Sequence, residues 1–188
     1  MVAVPGDQAA EAALPPDLAP FLELRRARRL TLGEPLTYAT VTGSTNDDAK
    51  AAARSGAPHG ALWVADAQTG GRGRQGRVWL AEPGASLLTS LLLRVACPAP
   101  RLPSLSLAVG LAVRDALAAH LPACNVQVKW PNDVLVDGRK IAGILVESLL
   151  AGATTPVALV VGVGVNLRSQ AFPPDVAPRA VALAQLAE

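Results

Sequence analysis

A two-residue turn between two apolar segments constrains the fold of this 188-residue chain more than any other feature. NDVLV, residues 132–136, and KIAGILVE, residues 140–147, flank Asp137-Gly138. An Asp-Gly pair in this position is typical of a tight antiparallel β-hairpin, because both residues tolerate the positive φ angles of the turn. The sequence therefore predicts a sheet that is not purely parallel.

Further strands and helices are predicted along the rest of the chain. Strands are expected where residues alternate or run apolar, at 35–41, 61–67, 86–95, 126–129 and 156–167. Helices are expected at 44–56 with Ser44 as the N-cap, at 104–121, and from 176 to the C-terminus. The second helix is apolar most of the way round, so we expect it to be largely buried. This order predicts an α+β fold, with a mixed β-sheet covered by helices.

The chain is predicted to hold one folded domain behind a short leader. Residues 1–35 are expected to be partly disordered, with a short basic helix at 21–30, because the first twenty residues are rich in Ala and Pro. The domain is expected to span residues 36–188. Hydrophobic residues make up 51% of the chain and charged residues 17%, which is the composition of a folded protein.

Charge and cysteine content argue against several classes of protein. A formal net charge of +2 gives little general attraction to nucleic acid or to anionic membranes. Cys97 and Cys124 lie in no CxxC or Cys/His pattern, which argues against a zinc site and against a disulfide framework. The sequence has no export signal and no apolar run of the ~20 residues that a membrane span needs. We therefore expect a cytoplasmic protein that binds neither DNA nor a membrane.

The most unusual stretch is GGRGRQGRVW, residues 70–79, which contains three arginines. It matches the GxGxxG pattern of dinucleotide-binding proteins, but Trp79 and Pro83 follow where that motif needs a helix. It also matches the kinase glycine-rich loop, but the chain has no HRD or DFG element. A solvated loop or an RGG-like nucleic-acid segment are the alternatives, and an aromatic content of 3% argues against the second. Arginine forks on a glycine-rich backbone are suited to wrapping an anion.

Polar residues at strand ends indicate a pocket beside this stretch. KWPNDV, residues 129–134, places ammonium, amide and carboxylate groups around a Trp-Pro bend, which could otherwise be a packing corner. Glycine weakens a strand, so Gly143, Gly162 and Gly164 indicate the close approach of a ligand or another backbone, or else β-bulges.

Four motifs in order, GSTND, QTGGRGRQGRVW, KWPNDV with KIAGILVE, and GVGVNL, resemble the catalytic domain of biotin protein ligase, also called biotin–[acetyl-CoA-carboxylase] ligase. The resemblance covers residues 36–187 and implies a mixed sheet similar to the class II aminoacyl-tRNA synthetase core. It implies an enzyme that uses ATP and Mg²⁺ to convert biotin to biotinyl-5′-AMP. The biotin is then transferred to one lysine of a biotin carboxyl carrier protein.

The resemblance also assigns roles to individual residues. Lys129 and Arg74 are the implied catalytic residues, with Lys129 meeting the biotin carboxylate and the α-phosphate. The implied biotin-binding residues are Ser44, Thr45, Asn46, Gln68, Gly71, Arg72, Gly73, Arg74, Lys129 and Gly143. The implied ATP-binding residues are Arg74, Arg77, Trp79, Asn132, Lys140 and Asn166. Trp79 either stacks on adenine or pins the loop, and Asn132 or Asp133 is the candidate near Mg²⁺, whose ligands are otherwise unknown.

The chain differs from some members of this family in the domains expected beside the catalytic domain. Residues 1–35 are too few for the N-terminal winged-helix domain of some members, and the C-terminal SH3-like domain is expected to be absent or truncated. We expect a monomer or a weak homodimer. The alternatives are a lipoate or octanoate protein ligase or transferase of the same fold, and a non-enzymatic biotin-sensing or nucleic-acid-binding module.

Overall fold

The computed structural model describes residues 14–94, 102–151 and 155–186. The helices are α1 (Ala19–Ala27), α2 (Thr45–Arg54) and α3 (Leu102–His120). The strands are β1 (Leu36–Thr42), β2 (Leu62–Gln68), β3 (Ser86–Leu93), β4 (Val126–Lys129), β5 (Asp133–Val136), β6 (Arg139–Ala151) and β7 (Thr155–Asn166). Cys97 and residues 1–13, where the leader was predicted to be disordered, lie outside the described residues.

The strands form one seven-stranded mixed sheet in the order β1-β2-β3-β7-β6-β5-β4. Strands β1 and β2 run parallel with α2 between them in the chain, and the other neighbouring pairs run antiparallel. The hairpin between β5 and β6 turns at Asp137 and Gly138, whose φ angles are 48° and 81°. The mixed sheet, the hairpin and the predicted strands are therefore confirmed, with small shifts in strand boundaries.

The two faces of the sheet are covered by different helices. On the α2 face, Ala49 and Ala53 pack with Trp63, Leu92 and Val160. On the α3 face, the buried side chains form a second cluster, made of Leu117, Leu121, Val134, Val136, Ile141, Ala142, Ile144, Val161, Val165 and Val181. Because neighbouring residues of a strand point to opposite faces, Val160 and Val161 belong to different clusters.

Helix α3 is less buried than its sequence predicts. It packs against β4, β5 and β6, with Leu117 and Gly110 buried at the contact. Leu107 and Leu111 are 38% and 41% exposed. The expectation of a largely buried helix is therefore wrong, because α3 lies on one face of the sheet and buries one stripe of its surface.

The terminal helix predicted from residue 176 is also wrong. The chain forms two short 3₁₀ turns, Ala177–Arg179 and Leu183–Gln185, with an extended segment between them. Within that segment the Val181 N–H donates to the Lys140 carbonyl at 3.0 Å, and the Val181 carbonyl accepts from Asn166 Nδ2 at 3.2 Å. Val181 is fully buried, so pairing with the sheet outweighs the local helix propensity.

Candidate functional site

An open pocket lies on the α2 face of the sheet. Its walls come from the start of α2, the end of β2, the segment after β2, and strands β3, β5, β6 and β7. The predicted site residues that line it are Ser44, Thr45, Asn46, Gln68, Arg72, Gly73, Arg74, Arg77, Trp79, Asn132, Asp133, Lys140 and Gly143. The structure therefore brings most of the predicted residues together, but it leaves Gly71, Lys129 and Asn166 outside the lining.

The end of the pocket beside α2 is a network of uncharged polar groups. Gln68 Oε1 accepts hydrogen bonds from the Thr45 N–H at 2.8 Å and from the Thr45 hydroxyl at 3.0 Å. The Ser90 hydroxyl lies 2.7 Å from Thr45 Oγ1 and 2.6 Å from Asn46 Oδ1. Ser44 is the N-cap residue of α2, as predicted, but its side chain makes no capping hydrogen bond. The first residues of α2 are instead fixed by β2 and β3.

Sequence reasoning missed Ser90 and Glu147, which hold this network. Ser90 is fully buried in β3, and a serine in a strand predicted to be buried on both faces is the signal that could have identified it. Glu147 ends the apolar segment KIAGILVE, and its Oε2 accepts from Asn46 Nδ2 at 2.7 Å. Both residues act on Asn46, which is 4% exposed.

An ion-pair ring stands next to these polar groups. Arg72 donates from Nη1 and Nη2 to the two carboxylate oxygens of Asp47, both at 2.6 Å. Lys50 Nζ lies 2.9 Å from Asp47 and 2.8 Å from Glu147, and Arg72 lies 3.8 Å from Glu147. The hydrogen bonds from Arg72, followed by those from Lys50, outweigh the effect of burial and hold the pKa of Asp47 well below its usual value.

This lowered pKa gives a testable pH dependence of stability. The ionised Asp47 stabilises the fold at all pH values above its unfolded-state pKa of about 4, and the effect is lost as the pH falls through the lowered pKa. We expect Asp47→Asn to cost ~1 kcal/mol or less at neutral pH, because the pair is partly exposed. In urea unfolding, the difference in the free energy of unfolding between the parent and Asp47→Asn should be constant from neutral pH to about pH 5. It should become smaller below about pH 4. A difference that disappears already near pH 6 would contradict the assignment.

The arginine-rich stretch folds into a small hairpin, here called the arginine hairpin, residues 71–79. The Trp79 N–H donates to the Gly71 carbonyl at 3.0 Å, and the Gly73 N–H donates to the Arg77 carbonyl at 2.7 Å. The tip turns at Gln75 and Gly76, with φ angles of 59° and 72°. A 3₁₀ turn, not an α-helix, follows the first glycines, so the geometry of a dinucleotide-binding motif is absent from this segment.

Side chains of the protein itself occupy the space above the strand glycines. A Cβ at Gly164 would lie 2.6 Å from the Trp79 ring, and one at Gly143 would lie 2.9 Å from it. A Cβ at Gly162 would lie 2.4 Å from Asn46 Oδ1. These glycines are therefore explained by neighbouring side chains, and the alternative of β-bulges is wrong, because the irregular registers lie at other positions in β5 and β6.

Trp79 joins the arginine hairpin to the floor of the pocket. Its ring lies over the paired glycines Gly143 and Gly164, and Lys140 Nζ is 5.4 Å from the ring centroid. Its indole N–H is buried and has no hydrogen-bond partner among the described residues. This packing supports the interpretation that Trp79 pins the loop.

The KWPNDV segment supplies one wall of the pocket. Asn132 Nδ2 donates to the Ile144 carbonyl at 2.9 Å, and Lys140 Nζ lies 2.7 Å from Asp133 Oδ1. Trp130 is 76% exposed, so the alternative of a packing corner is wrong for its side chain. The amide of Asn132 therefore fixes the bend, and Asp133 and Lys140 partly neutralise each other.

Lys129 lies near the pocket without lining it. Across neighbouring strands, Lys129 pairs with Asp133, Asp133 with Gly143, and Gly143 with Gly164. Lys129 is therefore in the same row and on the same face as the pocket floor, two strand spacings or roughly 10 Å from Gly143. The side chain is exposed on the edge strand β4, and among the described residues it forms no ion pair.

Asn166, predicted on the nucleotide side, lies at the end of β7. It is 3% exposed, and its Nδ2 lies 3.2 Å from the Val181 carbonyl and 3.5 Å from the Lys140 carbonyl. In this position it ties the C-terminal segment to the start of β6. Its contribution to ATP binding stays a prediction.

Within residues 14–94, 102–151 and 155–186, no helix is long and apolar enough to cross a membrane. Over the same residues, no group of three His, Cys, Asp or Glu side chains is arranged to hold a metal ion. Cys124 is a free thiol.

Solved structures share the sheet and its arrangement of helices. Biotin protein ligase from Aquifex aeolicus in complex with biotin and ATP is similar with a TM-score of 0.67 and 32% identity, over 82% of this chain and 61% of that one. Biotin protein ligase from Leishmania major in complex with biotin has a TM-score of 0.66 and 27% identity, over 82% of this chain and 64% of that one. The seven-stranded α+β fold is thus that of the biotin protein ligases.

Sequence comparison identifies the family. The biotin/lipoate A/B protein ligase family matches residues 38–166, and the chain belongs to this family. The bifunctional ligase/repressor BirA of Bacillus subtilis is 37% identical over 158 residues, 83% of this chain and 48% of that protein. The biotin--[acetyl-CoA-carboxylase] ligase of Mycobacterium tuberculosis is 42% identical over 178 residues, 90% of this chain and 64% of that protein. The chain therefore spans about half to two thirds of the length of these relatives.

Proposed function

We propose that the protein is a biotin protein ligase. In the first step the biotin carboxylate attacks the α-phosphorus of ATP, so that biotinyl-5′-AMP forms and pyrophosphate leaves. In the second step the amine of an acceptor lysine attacks the activated carbonyl, an amide bond forms, and AMP leaves. The names of the relatives and the biotin and ATP bound to the Aquifex neighbour support this proposal.

The observation that carries the proposal is the division of the pocket into an uncharged polar end and a cationic end. Thr45, Asn46 and Gln68 present amide and hydroxyl groups that suit the ureido group of biotin. Arg74 and Arg77 line the pocket, and among the described residues neither forms an ion pair. Their charges are therefore available for phosphates or for the acyl-phosphate intermediate.

No protein nucleophile is required, because the substrate carboxylate is itself the attacking group. The task of the protein is to bring two anionic substrates together and to exclude water from the intermediate. Cations at the reacting phosphate offset the like-charge repulsion and stabilise the charge that develops there. We assign this role to Lys129 and Arg74, and we assign Arg77 to the nucleotide.

Mg²⁺ is expected to enter with the ATP phosphates. In such sites the ion keeps several waters and takes only one or two protein carboxylates. Asp133 is the carboxylate on the pocket wall, and its Oδ1 is paired with Lys140. The residues present therefore fit an ion that is bound mainly by the substrate, with Asp133, or Asn132 through its side-chain oxygen, as the group that would approach it.

The substrate can be tested by pyrophosphate release with ATP and one acid at a time, biotin, lipoate or octanoate. We expect release with biotin. Release with lipoate or octanoate alone would assign the chain to the other branch of its family. A single-turnover reaction with a biotin carboxyl carrier domain then tests the transfer step.

We propose further that the protein is cytoplasmic, is a monomer or weak homodimer, and does not bind DNA.

Arg74→Gly is expected to separate formation of the intermediate from its retention. Arg74 stands on the pocket wall at the tip of the arginine hairpin, where its guanidinium can hold the acyl-phosphate anion. The variant should still release pyrophosphate, but it should lose the intermediate to solution and biotinylate lysines of unrelated proteins such as serum albumin. Streptavidin blotting measures this labelling. Labelling equal to that of the parent protein would remove the retention role from Arg74.

A further inference from the structure

We propose that Glu147 is a positioning residue that sets the hydrogen-bond polarity of the uncharged polar end of the pocket. It turns the side-chain oxygen of Asn46 towards this end, which then selects an acid whose head group carries N–H donors. Asn46 lines the pocket and Glu147 does not, so the carboxylate acts through the amide. The selection of an acid rests on the proposed function, whereas the orientation of the amide does not.

The orientation of the Asn46 amide follows from the chemistry of its neighbours. A carboxylate can only accept hydrogen bonds, so the group that faces Glu147 Oε2 at 2.7 Å must be the NH₂ of the amide. The Leu145 carbonyl, 3.5 Å from Asn46 Nδ2, is a second acceptor on the same side. The amide oxygen is therefore directed to the other side, where the Ser90 hydroxyl lies 2.6 Å away.

Glu147 is held on its other side by Lys50, whose Nζ lies 2.8 Å from Oε1. The two carboxylate oxygens therefore have separate partners, and rotation of the carboxylate would break both contacts. Glu147 lies on β6, and Lys50 and Asn46 lie on α2. Because Asn46 is 4% exposed, its amide is enclosed between a strand and a helix, and its orientation is fixed by both.

The uncharged polar end has fewer hydroxyl protons than contacts that need one. Gln68 Oε1 faces the Thr45 N–H at 2.8 Å, so this oxygen is an acceptor, as is Asn46 Oδ1. Three O···O contacts connect the two oxygens: Gln68 to Thr45 at 3.0 Å, Thr45 to Ser90 at 2.7 Å and Ser90 to Asn46 at 2.6 Å. The two hydroxyl groups supply one proton each, so one contact has no hydrogen. This end of the pocket therefore has more acceptors than donors.

A head group with N–H donors matches this polarity, and a head group without them does not. The ureido ring of biotin carries N–H groups, whereas the dithiolane ring of lipoate and the alkyl chain of octanoate carry none. Either of the latter would bury the acceptor oxygens without a new partner, which is unfavourable. Sites that hydrogen-bond such groups reject analogues that lack them more strongly than apolar pockets reject a change of size.

Glu147→Gln tests the orientation of the amide. The introduced side chain keeps its oxygen on Lys50 and turns its NH₂ towards Asn46, so the Asn46 amide has to rotate. Its NH₂ then faces Ser90 and supplies the proton that the network lacks. We expect the Kd for biotin to rise at least about tenfold, because a ligand N–H loses its acceptor. The rate of pyrophosphate release at saturating biotin should stay within about twofold of the parent, because only ground-state binding is lost.

The matched control is Glu82→Gln, which removes a carboxylate outside the pocket lining. Glu82 Oε1 accepts from the Ala171 N–H at 3.1 Å, a contact that the oxygen of a glutamine preserves. The control should leave the Kd for biotin unchanged. An unchanged Kd in Glu147→Gln overturns the inference, and so does an equal rise in both variants.

A double variant that exchanges the two groups should restore binding. In Asn46→Asp/Glu147→Gln the carboxylate presents an acceptor to Ser90 and accepts from the introduced amide, and the net charge is that of the parent. We expect its Kd for biotin to be at least about threefold lower than that of Glu147→Gln. Asn46→Asp alone places two carboxylates 2.7 Å apart and should bind biotin more weakly than the double variant. A double variant no better than Glu147→Gln overturns the inference.

Calorimetric titration of the parent with several acids separates this inference from the proposed function. We expect biotin and dethiobiotin, which both carry the ureido group, to bind at least about 100-fold more tightly than lipoate or octanoate. Lipoate or octanoate binding as tightly as biotin, or binding of none of the acids, overturns the selection. If biotin binds more weakly to Glu147→Gln but the parent releases no pyrophosphate, the inference holds and the proposed function fails. If the parent releases pyrophosphate with biotin and Glu147→Gln binds biotin as well as the parent does, only the inference fails.

Discussion

Gly162→Ala is expected to lower the affinity for biotin at least about tenfold and to cost ~1–3 kcal/mol of folding stability. The added Cβ would stand 2.4 Å from Asn46 Oδ1, well inside contact distance. Asn46 cannot give way easily, because it is 4% exposed and is bonded to both Glu147 and Ser90. Any shift breaks one of these buried hydrogen bonds. Calorimetric titration with biotin and urea unfolding measure the two effects.

Gly43→Ala is the matched control for this change. A Cβ at Gly43 would meet no atom within 4 Å, and the residue lies beside the same helix start. It should leave affinity and stability close to those of the parent. The double variant Gly162→Ala/Asn46→Ala should lose less stability than the two single losses together, because removing the amide relieves the clash. If Gly162→Ala behaves like Gly43→Ala, the packing assigned to Asn46 is wrong.

Features with a local cause could be predicted from the sequence. The turn at Asp137 and Gly138 follows from two residues that accept positive φ angles, and the structure has both angles positive. The strands follow from two-residue alternation or from continuous apolar runs. The pocket walls at KWPNDV and around Arg72 to Trp79 follow from residue types that are unusual at strand ends and in loops.

Features with a distant cause could not be predicted. The C-terminal segment reads as a helix, but it is extended because Val181 pairs with Lys140, which is 41 residues earlier in the chain. Asn46 meets Ser90 and Glu147 across separations of 44 and 101 residues. No local pattern encodes such contacts, because they depend on strand order and register. For the same reason, the sequence could not predict that the side chains of Trp79 and Asn46 fill the space above the strand glycines.

Two lysines are candidates for the proposed role of meeting the reacting phosphate, and their surroundings differ. Lys140 lines the pocket, but its charge is paired with Asp133 at 2.7 Å and stands over the Trp79 ring. Lys129 lies outside the lining, in the same cross-strand row, with an exposed side chain. Val128 contacts Gly110 of α3, so alternation directs Lys129 to the opposite face, where the pocket lies. Lys129, whose exposed charge is not neutralised by an ion pair among the described residues, is therefore better suited to the proposed role, because its side chain can turn towards an arriving anion.

Lys129→Gln is therefore expected to lower the rate of pyrophosphate release about 100-fold or more, because it removes a charge that stabilises the transition state. Lys140→Gln should lower it by about tenfold or less, because Asp133 already offsets the charge of Lys140. Both variants replace a partly or fully exposed side chain, so their unfolding curves should match that of the parent and exclude a loss of folded protein as the cause. Pre-steady-state pyrophosphate release at saturating biotin and ATP makes the comparison. A large loss of pyrophosphate-release rate in Lys140→Gln, with a near-normal rate in Lys129→Gln, would assign the role to Lys140. The assignment of Lys129 from the resemblance of KWPNDV would then be wrong.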